Sequence, residues 1–468
     1  MVSKQKIVGI SLLLCLLVLA AACNNPKYQL HLLPSNGQGE VKVVSSQEQY
    51  QAGSEVVINA QAAAGWKFSS WGGTIEGTTN PKAVVINNNL KVKANFVKTR
   101  AMANGGLANQ GYYSSSDLQT GVGVAWQSQG DYQVSSSPVV VDNTVYLGSK
   151  DKHLYALNSQ TATVKWKFAT QSRVISSPAV EQGTIYFGTA MRGAETGYLY
   201  AVDAKTGDQV WRFKTAGAVY YSAPKIVDER LYFGDKKGTL YALNAKTGQL
   251  QWKFKADSAI MYSAPAVTEN TIIVGTVDGE LYAVNKNTGQ QKWGREEEHP
   301  IVSAPIVANN TIYYVSYRKN TGLLCAINQT TGEKKWEVTF TGPIPYSIAQ
   351  QGDSIYVGTL AGKLYAVNTK TQEKKWSFST PGEIIASPIL TNKMVYVGDS
   401  EGNLYGLSRQ SGKQNWSFKV ESTIVSAPVL VKGRLYFSDQ TGTLYCLTTP
   451  QDKQESEVEQ NNSKNVSN

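Results

Sequence analysis

A tryptophan returns along this chain at an almost fixed interval. Trp126, Trp166, Trp211, Trp252, Trp293, Trp336, Trp376 and Trp416 are spaced by 40, 45, 41, 41, 43, 40 and 40 residues. Most of them close one fifteen-residue pattern, seen at Leu240–Phe254 as LYALNAKTGQLQWKF. Copies start at Leu154, Leu199, Leu281, Leu324, Leu364 and Leu404. A period of this length marks supersecondary units that cannot bury a core alone and must pack on their neighbours.

Each unit reads as four short strands. A small-residue stretch, Ser-Ala-Pro or Ser-Ser-Pro, is followed by an alternating run such as Arg230–Gly234, a turn with Gly, the LYAL strand and the Trp strand. Alternation and frequent turn residues specify antiparallel sheet. Four strands in roughly 40 residues is the size of one propeller blade.

The ends of the array fix its number. Trp126 has no LYA strand before it, and Leu444–Leu447 (LYCL) has no Trp strand after it. The expected fold is therefore all-β: an eight-bladed propeller of four-stranded antiparallel blades over 121–449. Its last blade is completed by the N-terminal Trp126 strand, which removes an exposed sheet edge.

The repeated A-x-[DN]-x-x-T-G-x-x-x-W resembles the tryptophan-docking repeat of the quinoprotein-type, or PQQ-like, propellers. The residues themselves support a structural role. Asn158, Asp203, Asn244, Asn285, Asn328 and Asn368 are placed to bond the amides of the following turn. Gly207, Gly248, Gly289, Gly332 and Gly412 suit a left-handed residue, while Ala162 and Gln372 break the rule, so those two turns are expected to differ or be strained. All eight Trp rings, Trp336 included, are expected to dock between blades.

The small residues before each motif Pro, such as Ser137, Ala223 and Ala427, place those strands innermost, where blades converge. Blade 6 departs, with Ile348 at the Pro position and Tyr346 two before it. Tyr346 with Tyr220, Tyr221 and Tyr262 would put aromatic rings at one channel mouth, as packing or as a partner-binding rim. Two hairpins are lengthened, 189–198 in blade 2 with Arg192 and 316–323 in blade 5 with Arg318, and are contact candidates.

Residues 1–22 read as a secretion signal, with Lys4 and Lys6 before an apolar run and Ala20-Ala21-Ala22 before Cys23. The ending resembles the processing site of bacterial lipoproteins, which implies lipid on Cys23 and a short tether over 23–27. Removal of the two leader lysines takes the formal charge from +10 to +8. The charges are scattered and no nucleic-acid module accompanies them. Cys325 and Cys446 then remain, three blades apart, too far for the approach of about 7 Å between Cα atoms that a disulfide needs. Two buried free thiols are expected.

Residues 28–97 lack the repeat. GWKFSSWGG, GTTNP and KVKANF resemble the divergent InlB B-repeat family of bacterial surface proteins, which implies a small β module. Trp66, Phe68 and Trp71 are expected in its core, with a sugar-stacking platform as the alternative. Residues 98–120 read as flexible linker and 450–468 as a disordered polar tail.

No catalytic constellation emerges. Gly398-Asp399-Ser400-Glu401-Gly402 matches G-x-S-x-G but falls on a hairpin, whereas a nucleophile elbow needs a strand-to-helix turn. His31 lies in the N-terminal module and His153 and His299 in two separate blades, so neither a zinc cluster nor a Ser-His pair is suggested. The quinoprotein resemblance implies a quinone and calcium for its enzyme members, yet this chain has no adjacent cysteines and no carboxylate cluster on the inner strands. The combination of lipoprotein signal and compact repeats instead resembles the BamB-type scaffolding lipoproteins of outer-membrane β-barrel assembly. That implies no cofactor, a monomeric propeller within a complex of envelope proteins, and an outer-membrane anchor with the periplasmic face favoured. A surface adhesin or ligand-binding lipoprotein is the competing reading.

Overall fold

The computed structural model describes residues 26–450 except 38, 45, 63–65, 99, 102–112, 114–116, 129–133, 135, 191–195, 302 and 346–347. Cys23, the signal segment, Arg192, Tyr346 and the tail 451–468 lie outside the described residues. The chain divides into two units, 1–99 and 100–468.

The first unit is a small β module. Strands 39–43, 54–62 and 82–86 form one antiparallel sheet, and 30–32, 90–98 and 66–73 a second, with 30–32 parallel to 90–92. Alternation along Ser54–Ala62 turns Val56, Ile58 and Ala60 inward, where they meet Trp71, Val92 and Phe96. Trp71 is 2% exposed, and its indole donates to the Thr79 carbonyl at 2.8 Å. Phe68 packs on it at 4.9 Å. These two rings are therefore core; the Trp66 side chain lies outside the described residues.

The second unit is built of antiparallel sheets of four strands, the blade 2 sheet carrying a short fifth strand at Arg100–Ala101. Blade 1 runs 139–169, blade 2 179–215, blade 3 225–255, blade 4 266–296, blade 5 306–341, blade 6 349–379 and blade 7 389–419. The eighth sheet takes three strands from 429–448 and its outer strand from Gly123–Gln127, with Trp126 opposite Cys446 and Gln127 opposite Tyr445. Eight apolar clusters join successive sheets. One of them unites Trp126 and Tyr436 of the eighth sheet with Val145 and Leu157 of the first.

The Trp repeat is a docking device. The indole of Trp211 donates to the carbonyl of Ala245, the residue after the motif Asn of the next blade, at 2.9 Å. Trp126 reaches Ser159 in the same way, Trp166 Ala204, Trp252 Lys286, Trp293 Gln329 and Trp376 Arg409. The motif Asn or Asp holds the receiving turn: Oδ1 of Asp203 accepts from the amides of Lys205 and Thr206, both at 2.8 Å. Gly207 then lies so close that a Cβ would fall 2.8 Å from Cδ2 of Trp166.

Ala162 and Gln372 adopt the same turn, with φ of 61° and 65° and the same bond back to Asn158 and Asn368. The two turns thus do not differ in shape. What remains is the cost of a Cβ in the left-handed region, about 1–2 kcal/mol each.

Trp336 docks between blades by packing. It is half-buried and packs on Tyr313, with centroids 5.7 Å apart, in the cluster that joins blades 5 and 6. Its packing role therefore holds, but among the described residues its indole has no hydrogen bond to the next blade. The motif turn of the next blade carries Gln372 at the position where five other junctions set a glycine directly against the ring. Trp126 faces Ala162 and keeps its bond to Ser159. A single methyl is thus tolerated there.

The expected linker 98–120 needs correction. Arg100–Ala101 pairs with the innermost strand of blade 2. Tyr113 donates its amide to Leu390, and Leu118 is 1% exposed in the cluster between blades 7 and 8. Blade 8 has no motif turn to receive Trp416, so an apolar hole is left that Leu118 fills.

Cys325 and Cys446 are buried free thiols. Burial pushes Cys325 up to about 12 and Cys446 up to about 11.

Candidate functional site

The innermost strands meet around the axis, with Ala223, Ala264 and Ala304 packed on one another. The serine that opens each motif has a specific task not evident from its small size. Oγ of Ser136, Ser176, Ser263 and Ser426 accepts the amide of Gly148, Gly188, Gly275 and Ser438, pinning the innermost strand's lead-in to the next strand.

Above this ring lies a cup of about 290 Å³ lined by Ser137, Ser177, Ser387, Ala427, Tyr221 and Tyr262, among others. Tyr221 and Tyr262 stack, with centroids 5.3 Å apart and planes 13° from parallel. Tyr220 meets Tyr221 at 6.4 Å and otherwise packs against Ile175, Ala190 and Ala218. The structure therefore brings together three of the four expected rim tyrosines. Tyr221 is 43% exposed.

Both stacked tyrosines have positive φ, 51° and 59°. The amide of Ser222 donates to the carbonyl of Tyr220 at 2.6 Å, bridging a tight turn centred on Tyr221. Ile175, Ile385 and Val425, at the same step before the motif Pro, have no positive φ. Left-handed tyrosine costs about 1–3 kcal/mol, and such strain gathers at working surfaces. Sequence alone signals the rings but not the strain.

Arg318 is not part of this rim. It lines a separate hollow beside blade 4, with Arg295, Glu297, Ser316 and Lys334.

The residues that suggested chemistry are engaged structurally. Asp399 is fully buried and accepts from the Asn403 amide at 2.8 Å and the Tyr405 hydroxyl at 3.1 Å. Ser400 Oγ accepts from the Glu383 amide at 2.9 Å. This is the hairpin the motif's alignment indicated. Among the described residues no group of three or more His, Cys, Asp or Glu is placed to hold a metal ion.

The arrangement defines a propeller of the quinoprotein type, with a polar, hydroxyl-lined axial cup. Over residues 114–259, 258–345 and 320–465 it matches the family described as outer membrane protein assembly factor BamB, and the chain belongs to that family. Residues 32–100 match the divergent InlB B-repeat domain.

Among solved structures, BamB from Moraxella catarrhalis is 19% identical, with a TM-score of 0.59, covering 70% of this chain and all of that one (100%). The quinohemoprotein alcohol dehydrogenase ADHIIG from Pseudomonas putida HK5 is 15% identical, with a TM-score of 0.61 over 73% of this chain and 79% of that one. The computationally designed Ika8 protein is 15% identical, with a TM-score of 0.59 over 68% and 97%. These likenesses are of fold. No curated protein matches the chain significantly.

A quinone with calcium does not fit the axial cup. Calcium takes six to eight oxygen ligands, carboxylates prominent among them. Among the described residues the lining offers serine and tyrosine hydroxyls, alanine and branched apolar side chains, one amide from Gln440 and the Lys150 ammonium, with no carboxylate.

Proposed function

We propose that this protein is a non-enzymatic scaffold of the cell envelope, a lipoprotein anchored through Cys23 that holds other proteins during β-barrel assembly in the outer membrane. The observation that carries the reading is the BamB family match across the whole blade array. The strained, stacked Tyr221 and Tyr262 supply a rigid aromatic surface of the kind that anchors protein contacts. Periplasmic placement and a monomeric propeller within a larger complex belong to the same proposal.

The test is photo-crosslinking in intact cells from positions 221 and 317, read by mass spectrometry. Recovery of a barrel-assembly subunit supports the reading. Recovery of only polysaccharide or host ligands rejects it. Calorimetry with pyrroloquinoline quinone and calcium should show no heat of binding.

The B-repeat module favours a second reading, a surface-exposed adhesin. Protease treatment of intact cells separates the two: a propeller that survives supports assembly, and one that is cut supports adhesion.

A further inference from the structure

At five junctions between successive blades, a Phe near the end of one outer strand meets a Tyr of the next blade. Centroid distances are 5.6 Å for Phe168 and Tyr200, 5.7 Å for Phe213 and Tyr241, and 5.2 Å for Phe254 and Tyr282. They are 5.1 Å both for Phe340 and Tyr365 and for Phe378 and Tyr405. Such pairs stabilise a junction beyond the area they bury.

The junction between blades 4 and 5 departs on both sides. Arg295 stands opposite Leu281, the register place where Phe254 stands opposite Leu240. Cys325 stands opposite Tyr314, where Tyr241 stands opposite Phe233. Both rings are missing from one spot, and a hollow of about 680 Å³ opens beside the lengthened blade 5 hairpin. That size falls within the range of small-molecule sites, about 300–1,000 Å³.

The walls are polar and carry both signs. Tyr314 donates its hydroxyl to Glu297 at 2.6 Å, and Arg295 donates to the same carboxylate. Lys334 donates to Glu337 at 2.6 Å. Those pairs neutralise one another locally. Among the described residues, Arg318 and Glu296 have no ion-pair partner, and both line the hollow. Ser316 lines it too; it is 2% exposed, and its hydroxyl has no hydrogen-bond partner among the described residues. A buried hydroxyl without a partner is costly, and a polar ligand that bonds it recovers that cost.

We propose that this hollow is a binding site for a small zwitterion of the amino-acid or short-peptide class. The ligand carboxylate pairs with Arg318, its ammonium with the acidic wall at Glu296, and a backbone group of the ligand meets the Ser316 hydroxyl. A polyanion is repelled by the glutamates and a polycation by the arginines, so a dipolar ligand is the one the alternating charges select.

The test is calorimetric titration of the full-length protein with glycine, Ala-Ala and Ala-Ala-Ala, each compared with its N-acetylated and C-amidated form. At least one free zwitterion should bind, and each cap should weaken it tenfold or more. Arg318→Gln should weaken the same ligand at least tenfold without changing the melting temperature. The double variant Arg295→Phe/Cys325→Tyr restores the ring pair found elsewhere, narrows the hollow between its walls and should weaken binding at least tenfold. Failure of all three probes to bind, or equal binding of capped and free forms, would overturn the proposal. So would undiminished binding by the folded double variant. If that variant does not fold, unchanged affinity in Arg318→Gln overturns it alone.

Discussion

The indole of Trp416 donates to the carbonyl of Leu118 at 2.7 Å, across 298 residues of sequence. The Leu118 amide in turn donates to the Tyr396 hydroxyl at 2.8 Å. Other blades give this place to the turn after the motif Asn, where the carbonyl of Ala204 accepts from both Trp166 and Tyr146. One leucine of the lead-in segment thus stands in for a turn that blade 8 does not have. Asp117 and Gln119 hold it there through bonds with Thr391 and Asn415.

Leu118→Ala should therefore cost about 2–5 kcal/mol, the range for a buried leucine whose cavity cannot collapse. Trp416→Phe should cost about 1–3 kcal/mol by leaving the Leu118 carbonyl without its donor. Urea denaturation checks both. An effect below about 0.5 kcal/mol for Leu118→Ala would place the segment outside the ring's core, since that is the scale of an ordinary surface substitution.

Gln372→Gly relieves a side chain held at φ 65° and should raise stability by about 1 kcal/mol. The reverse change, Gly207→Ala, sets a Cβ against the ring of Trp166 and should lower it by about 1–3 kcal/mol. Opposite shifts in the denaturant midpoint are the expected result.

Raising pH should destabilise the fold from about pH 9. Cys325 and Cys446 stay protonated in the folded state, up to about 12 and 11, whereas the unfolded chain loses those protons near the ordinary value of 9.0. The folded chain therefore binds more protons between these limits. Stability from this source is complete below pH 9 and is lost as pH climbs towards 12. Buried tyrosines such as Tyr241, pushed up to about 12, add to the loss above pH 10. Melting curves at about pH 8, 9.5 and 10.5 should fall in that order, and Cys325→Ala/Cys446→Ala should flatten the first step. At about pH 8 neither thiol should react with a disulfide reagent until the protein is unfolded.

Tyr221→Gly should separate stability from function. It removes left-handed strain, offset by the added backbone freedom of glycine in the unfolded chain, and so should leave stability unchanged or raise it by up to about 1 kcal/mol. Crosslinking from position 262 to any protein partner should nevertheless fall, because Tyr262 loses the ring stacked on it.

The array was readable because its cause is periodic. Each Trp, each motif Asn and each turn glycine faces the same neighbour in nearly every unit, so one pattern reports one contact repeated around the ring. Trp336 marks the limit of that logic, because its own strand matches the pattern and yet, among the described residues, it packs on the next blade without the indole hydrogen bond. The Leu118 plug was not readable, because Gly105, Gly106 and Ser114–Ser116 give its surroundings the composition of a loop. What holds it is a hole formed by residues nearly 300 positions away. The hollow between blades 4 and 5 was hidden for a similar reason. Arg295 and Cys325 look like separate lapses of two repeats, and only sheet register shows that they fall on one junction. The rim tyrosines were legible as rings, but their backbone strain was not, since Ile175 occupies the same step without it.

The eighth blade also bears on biosynthesis. Its outer strand, 123–127, is among the first propeller segments to leave the ribosome, and its partner, 444–448, is the last of the described propeller strands to do so. Throughout that interval the nascent chain carries an unmatched β edge at each end, the kind of surface that recruits other chains. Translation halted at any earlier codon yields an arc with two open flanks, which is readily told apart from the finished product by any protease or chaperone that recognises unpaired backbone.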